Sequence, residues 1–251
     1  MRGSASEILI VTALREETDA LIERARGISR FPGAPRPAWR GTLSGQPVIL
    51  ARTGAGPLNA ASGLAELLRA LGPRRWIGAG LAGALAPDIA VGQVLIAEAV
   101  GDEEGTIVPG PDRAWVARAL DFAPNARGAR LVTRARIAVT AKEKAALRGR
   151  EGNSADAVDM ESAGWARAAQ AAAPGAPYLL ARVVSDSAAE DLPDFLAGSL
   201  AADGSVDRGR VARRALLAPA SIGKLLGLRR RAHACAGSLA EFLDRFAAAG
   251  F

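Results

Sequence analysis

The chain has 251 residues, 49% of them apolar, with 32 Lys and Arg against 26 Asp and Glu, one Cys and one His. That length suits one large α/β domain, expected over residues 1–251. No apolar run approaches the roughly 20 residues of a membrane span, and the first six residues carry no secretory pattern. The lone Cys235 excludes an internal disulfide and fits a reducing, cytoplasmic setting, and the lone His233 leaves no material for a Cys/His metal site or a His-based triad, so acid–base chemistry falls to carboxylates.

Glu7 to Thr12 (EILIVT) reads as a buried strand that turns at Ala13 into a helix with Leu14, Leu21 and Ile22 on one face. Gly27 to Pro37 reads as a loop, and Trp39 to Thr42 with Pro47 to Thr53 as a hairpin about Ser44-Gly45. A helix is expected from Leu58 to Leu71, stopped by Gly72-Pro73, then a strand over Trp76 to Gly80 and another over Val91 to Val100. Asp102 to Pro111 reads as an exposed loop, Ala114 to Phe122 as a helix, Ala129 to Val139 as a strand, and Thr140 to Arg148 as a helix opened by a Thr140/Glu143 capping box. Asp159-Met160-Glu161 is expected to open an alanine-rich helix, followed by a buried strand over Tyr178 to Val184 that ends at Ser185-Asp186. Strand and helix alternate, so the expected fold is a three-layer α/β sandwich: a mixed, mostly parallel twisted sheet with helices on both faces. Phe195 to Leu200 is expected as a turn of helix, the stretch after it as two helical pieces broken near Pro219, and Gly237 to Ala249 as a closing helix.

The basicity is local. Val206 to His233 carries eight Arg or Lys against the single acid Asp207, which leaves 24 basic and 25 acidic residues elsewhere. The excess belongs to a basic helical C-terminal extension over about residues 206–251, on a balanced body, and is no nucleic-acid footprint.

Gly78-Ala79-Gly80-Leu81-Ala82-Gly83 is a literal G-x-G-x-x-G after a strand. A dinucleotide site needs a helix immediately afterwards, and Pro87-Asp88 leaves hardly any room for one. The glycines then serve close approach, of backbone or of a ligand. Arg52-Thr53-Gly54-Ala55-Gly56 has the form of a small anion-binding turn ahead of a helix, a form that steric need alone also produces. Glu16, Glu17, Asp159 and Glu161 have a bland reading as acids in first helical turns. Asp186 is less easily dismissed, because it stands at the mouth of a buried strand, where open α/β folds keep their chemistry.

Taken together and in order, Ala13-Leu14-Arg15-Glu16-Glu17, Thr53-Gly54-Ala55-Gly56, Gly80-Leu81-Ala82-Gly83-Ala84-Leu85, and Val158-Asp159-Met160-Glu161 with Arg182-Val183-Val184-Ser185-Asp186 resemble the nucleoside phosphorylase/nucleosidase superfamily. The nearest likeness is to 5′-methylthioadenosine/S-adenosylhomocysteine nucleosidases and hopanoid-associated phosphorylases. The resemblance implies cleavage of a purine N-glycosidic bond without a resident cofactor, phosphate being the alternative co-substrate to water, and a homodimer. It makes Asp186 the general acid near the purine, with Ser185 beside it, puts Glu161 on the ribose hydroxyls, packs Met160 on the sugar, and has Glu17 orient water. Ala138 and Val139 would line the base pocket.

Chemistry supports that division. Protonating the departing base lowers the barrier, and a carboxylate beside the sugar offsets charge that grows only in the transition state. The sequence departs from the pattern at Leu81, where relatives commonly carry Ser, and at Gly78, where the hexameric phosphorylases carry Arg. Both departures count against a standard phosphate site, while Arg15, Arg52 and Gly54 could still form one. Water is the expected nucleophile and adenine the expected product. The basic tail, with Glu190-Asp191-Leu192-Pro193, looks like the hopanoid-associated branch. This keeps open a lipid-linked substrate and peripheral contact with the inner membrane face. A solvated helix face and a non-catalytic nucleoside- or membrane-binding member of the fold also stay open.

Overall fold

A computed structural model describes residues 7–72, 75–149, 154–193, 196 and 220–251. Strand β1 (Ile8–Thr12) is buried along its whole length and leads into helix α1 (Arg15–Arg24). Strands β3 (Ala38–Leu43) and β4 (Gln46–Arg52) form the expected hairpin. At its two-residue turn Ser44 has φ 43° and Gly45 φ 85°, the left-handed pair that matches strand twist. The stretch read as loop instead begins with an edge strand, β2 (Arg26–Arg30), antiparallel to β3. Its R-G-I-S-R sequence turns only Ile28 inward, so composition hides it and pairing to a formed neighbour makes it.

Helix α2 (Pro57–Leu71) follows with Pro at its first position and left-handed Gly72 at its end. Strand β5 runs from Trp76 to Ala84, so the whole glycine-rich motif is strand and no helix follows it. Strand β6 (Val94–Asp102), helix α3 (Arg113–Phe122) and strand β7 (Arg127–Thr133) come next. β7 stops six residues short of Val139, because the Thr133 hydroxyl is drawn inward to Asp159. Helix α4 (Ala141–Arg148) carries the Thr140/Glu143 capping box. Asp159 is not a helix start: it ends a short strand, β8 (Ala157–Asp159), and helix α5 (Ser162–Ala172) begins beyond Glu161. Strand β9 (Tyr178–Asp186) is buried almost throughout. Helix α6 (Ala220–Ala248) starts directly after Pro219 and runs unbroken through the expected closing helix. The part of the basic tail before Ala220 lies outside the described residues, as does the turn expected at Phe195 to Leu200 except Leu196.

The nine strands among the described residues belong to one mixed sheet. β5 lies parallel to both β1 and β9, and its last residues pair antiparallel with β8. β9 also pairs with β6, β6 with β7, and β7 with β8, so five strands close into a ring and β1, β4, β3 and β2 extend from it as an open wing. Helices α2 and α5 cover one face through Leu64, Leu67 and Trp165. Helices α1, α3 and α6 cover the other through Leu21, Trp115, Leu239 and Phe246. This is the expected three-layer α/β arrangement.

Candidate active site

The C-terminal ends of β1, β5, β8 and β9 surround a cavity of about 590 Å³. Glu17, Leu81, Ala138, Met160, Glu161, Ser185 and Asp186 all line it. Five sequence segments spread from Glu17 to Asp186 thus meet at one end of the sheet, where parallel strands leave a crevice.

Asp186 is 6% exposed, and both its carboxyl oxygens are engaged. The Ser185 hydroxyl donates to Oδ1 at 2.6 Å, and the Lys144 ammonium lies 2.6 Å from Oδ2. Lys144 itself is fully buried and also donates to the carbonyls of Ser187 (2.7 Å) and Glu190 (3.0 Å).

Glu17 is buried too, so the solvated helix start is wrong for it. Its Oε2 accepts from the N–H groups of Ala13 (3.0 Å) and Leu14 (2.8 Å), and Oε1 accepts from the N–H of Leu81 (3.0 Å). Burial pushes its carboxyl above the usual range, opposed by the Leu14 N–H and by Arg182. Glu161 accepts from the N–H of Gly56 at 3.0 Å, and burial pushes it up to about 8, with Arg182 pulling down and the charges of Asp159 and Glu17 pushing up.

Arg182 joins these acids from beneath. It is fully buried, pairs with Asp159 at 2.7 Å, and lies over the Trp165 ring at 4.8 Å. Asp159 also accepts from Thr133 and Ser162, which makes it a structural anchor for the guanidinium. Arg182 Nη1 sits 3.6 Å from Glu161 Oε2 and has no hydrogen-bond partner among the described residues. The β5 glycines create the space for this cluster. A Cβ at Gly80 would collide with Arg182 Nη1 and stand 2.9 Å from Glu17 Oε1; one at Gly83 would stand 2.8 Å from Asp186 Oδ2.

Other expected site residues lie elsewhere. Arg15 points outward and pairs with Asp19 one helical turn on. Arg52 lies against Trp39, and Gly54 abuts Asn59. None of the three lines the cavity, so no phosphate cradle assembles from them. Val139 is buried beside the wall, its N–H donating to Glu143 and its carbonyl accepting from the Leu192 N–H, while Arg136, Ile137 and Ala138 face the cavity. Leu81 contributes a backbone N–H to Glu17, a role for which any side chain serves. Among the described residues no group of three His, Cys, Asp or Glu could hold a metal ion.

The family model of the Phosphorylase superfamily matches residues 7–216. The chain belongs to the phosphorylase superfamily. A curated relative, the 5′-methylthioadenosine/S-adenosylhomocysteine nucleosidase of Anoxybacillus flavithermus, is 34% identical over 93 residues, which is 37% of this chain and 40% of that protein. Among solved structures, the Neisseria meningitidis nucleosidase of the same description, in complex with methylthio-immucillin-A, superposes with a TM-score of 0.74 at 20% identity over 97% of this chain and 99% of that one. Futalosine hydrolase of Helicobacter pylori gives a TM-score of 0.73 at 16% identity over 97% of both chains. These superpositions show that this member of the superfamily shares their fold.

Proposed function

We propose that the protein hydrolyses the N-glycosidic bond of a 5′-substituted purine nucleoside and releases the base, adenine being the expected one. The observation that carries this is the convergence of three buried carboxyls, Glu17, Glu161 and Asp186, on one cavity beside a guanidinium N–H that has no hydrogen-bond partner among the described residues. Asp186 protonates a ring nitrogen of the purine as the bond to the sugar breaks. Glu161, once its proton has passed to solvent water on substrate binding, accepts from the ribose hydroxyls and faces the growing positive charge of the sugar. Met160 packs on the sugar. A water held between Glu17 and Arg182 Nη1 attacks from the other side and gives its proton to Glu17. No resident cofactor enters the scheme.

Water is favoured over phosphate because the residues expected to cradle a phosphate, Arg15, Arg52 and Gly54, do not line the cavity. Arg136 and Arg229 also line the cavity, and its apolar walls, Leu14, Leu81, Ile137, Leu192, Leu196 and Leu228, favour an apolar 5′ group over a free hydroxyl. The same walls support a second reading, phosphorolysis of an adenosylated polycyclic lipid. Exposed Leu226, close to Arg229 and Arg230 on α6, would then rest on a membrane surface. No described helix is long and apolar enough to cross a membrane.

The test is chromatography of free base from 5′-methylthioadenosine, S-adenosylhomocysteine, adenosine, inosine and an adenosylated lipid, each with and without phosphate. Base from a 5′-substituted nucleoside without phosphate is expected. Release only with phosphate favours the second reading, and ligand-dependent melting without any release marks a non-catalytic member. D186N should lower kcat by roughly 10²–10⁴-fold with little change in KM. Full activity in D186N would place the acid elsewhere. The homodimer belongs to the same proposal and is read by sedimentation of the purified protein.

A further inference from the structure

Lys144 was invisible as a functional residue in the sequence, and its position is unusual. A lysine is almost never fully buried unless paired, because the ammonium must be taken out of water. Here each of its three N–H bonds has an acceptor: Asp186 Oδ2 at 2.6 Å, the Ser187 carbonyl at 2.7 Å and the Glu190 carbonyl at 3.0 Å. The two carbonyls belong to the loop that leaves the acid, so one ammonium fixes both the carboxyl and the chain beyond it. Glu190 is held from its other side by Arg231 of α6 at 2.7 Å.

We infer that Lys144 is a positioning residue for the proton transfer: its ammonium stabilises the carboxylate that Asp186 becomes as its proton passes to the purine. This rests on the reading of Asp186 as the acid. In that step the C1′–N bond breaks with its electron pair going to the purine, and the ring nitrogen takes the proton from the Asp186 carboxyl. The new carboxylate meets a cation already in place, while Lys144 keeps its own three protons. A preorganised charge of this kind is worth most in a site that excludes water. The same cation faces the carboxyl in the resting site, so its removal is read in the pH profile of the rate. The other groups facing Asp186 fit this account. Ser185 only donates a hydrogen bond, and β5 presents Gly83, which has no side chain. Arg231 is tied to Glu190 and reaches no nearer than the Ser185 carbonyl at 3.5 Å. The Cys235 thiol of α6 is pushed up, first by burial, and stays neutral beside it.

The experiment is the pH dependence of kcat for base release from 5′-methylthioadenosine in wild type, D186N, K144Q and K144R. Glutamine removes the charge yet leaves amide N–H groups for the two loop carbonyls, so K144Q is expected to fold, as checked by its melting curve. Its alkaline limb should move up by about one pH unit, with plateau kcat reduced about tenfold or more and KM within about threefold. K144R, which keeps the cation, should leave the limb where wild type has it. An unmoved limb in K144Q, or one displaced equally in K144R, overturns the proposal. Should K144Q not fold, K144R decides alone: an unmoved limb with KM kept supports the role, and a displaced limb overturns it. If wild type releases no base, the acid assignment falls and this proposal with it. If wild type and D186N behave as expected but K144Q titrates like wild type, only the role of Lys144 is lost.

Discussion

At neutral pH a carboxyl pushed up to about 8 still holds its proton in the folded protein, whereas in the unfolded chain, near 4.5, it has lost it. Between those values the folded state binds more protons at Glu161 than the unfolded state does, so this residue's contribution to stability falls as pH rises through the window. It is fully present below about 4.5 and gone above about 8. Replacing Glu161 with Gln removes the titration while keeping an acceptor for the Gly56 N–H. E161Q should therefore melt about 5 °C or more above wild type at pH 8, with the gap closing toward pH 5. Equal melting temperatures across that range would contradict the burial of an ionisable group there. The residues differ in how far their setting could be read from sequence. Arg182 interrupts an apolar strand, Leu179 to Val184, and a charge at such a position must find a buried partner, so its pairing with Asp159 was recoverable. Lys144 sits in a helix that reads Ala-Lys-Glu-Lys-Ala-Ala-Leu, the ordinary pattern of a solvated face, and only the arrival of β9 buries it.

Strands set the site's tolerances more tightly than helices do. β5 and β9 run parallel in register from Trp76 opposite Tyr178 to Ala82 opposite Val184, and the Arg182 side chain passes over Gly80, its register partner. G80A adds one methyl group, which would push against both the guanidinium and Glu17 Oε1. The expected result is a loss of kcat of about tenfold or more, with far-ultraviolet dichroism unchanged; unaltered kinetics would mean that the pair proposed to hold the water tolerates displacement. Elements with a strong period were legible: β1, the β3–β4 hairpin, α2, α4 and β9 fall within a few residues of where composition puts them. β2 and β8 were not. Each is short and lacks a hydrophobic alternation of its own, and each becomes a strand because a finished neighbour offers unpaired backbone groups. The same tertiary pull ended β7 early, at Thr133, and moved Asp159 from a helix to a strand.

At the scale of the molecule, layer order followed from the alternation of strands and helices, but ring closure did not, because no local pattern records that β5 has three partners. The ring has a consequence for synthesis. β9 is the last strand in chain order among the described residues, yet it lies between β5 and β6, and more than half the chain is translated before it appears. A ribosome adding about 5–20 residues per second exposes the flank of β5 for several seconds between Ala84 and Tyr178. During that time Trp76, Ile77 and Ala79 belong to an uncovered apolar edge that invites pairing with another nascent chain. A chain stopped after Ala173 should accordingly collect in the insoluble fraction, while the full chain stays in solution; a soluble fragment would show that the wing and its helices can shield β5 alone. Asp186 closes that strand, so the newborn protein gains its proposed proton donor in the same event that seals its sheet.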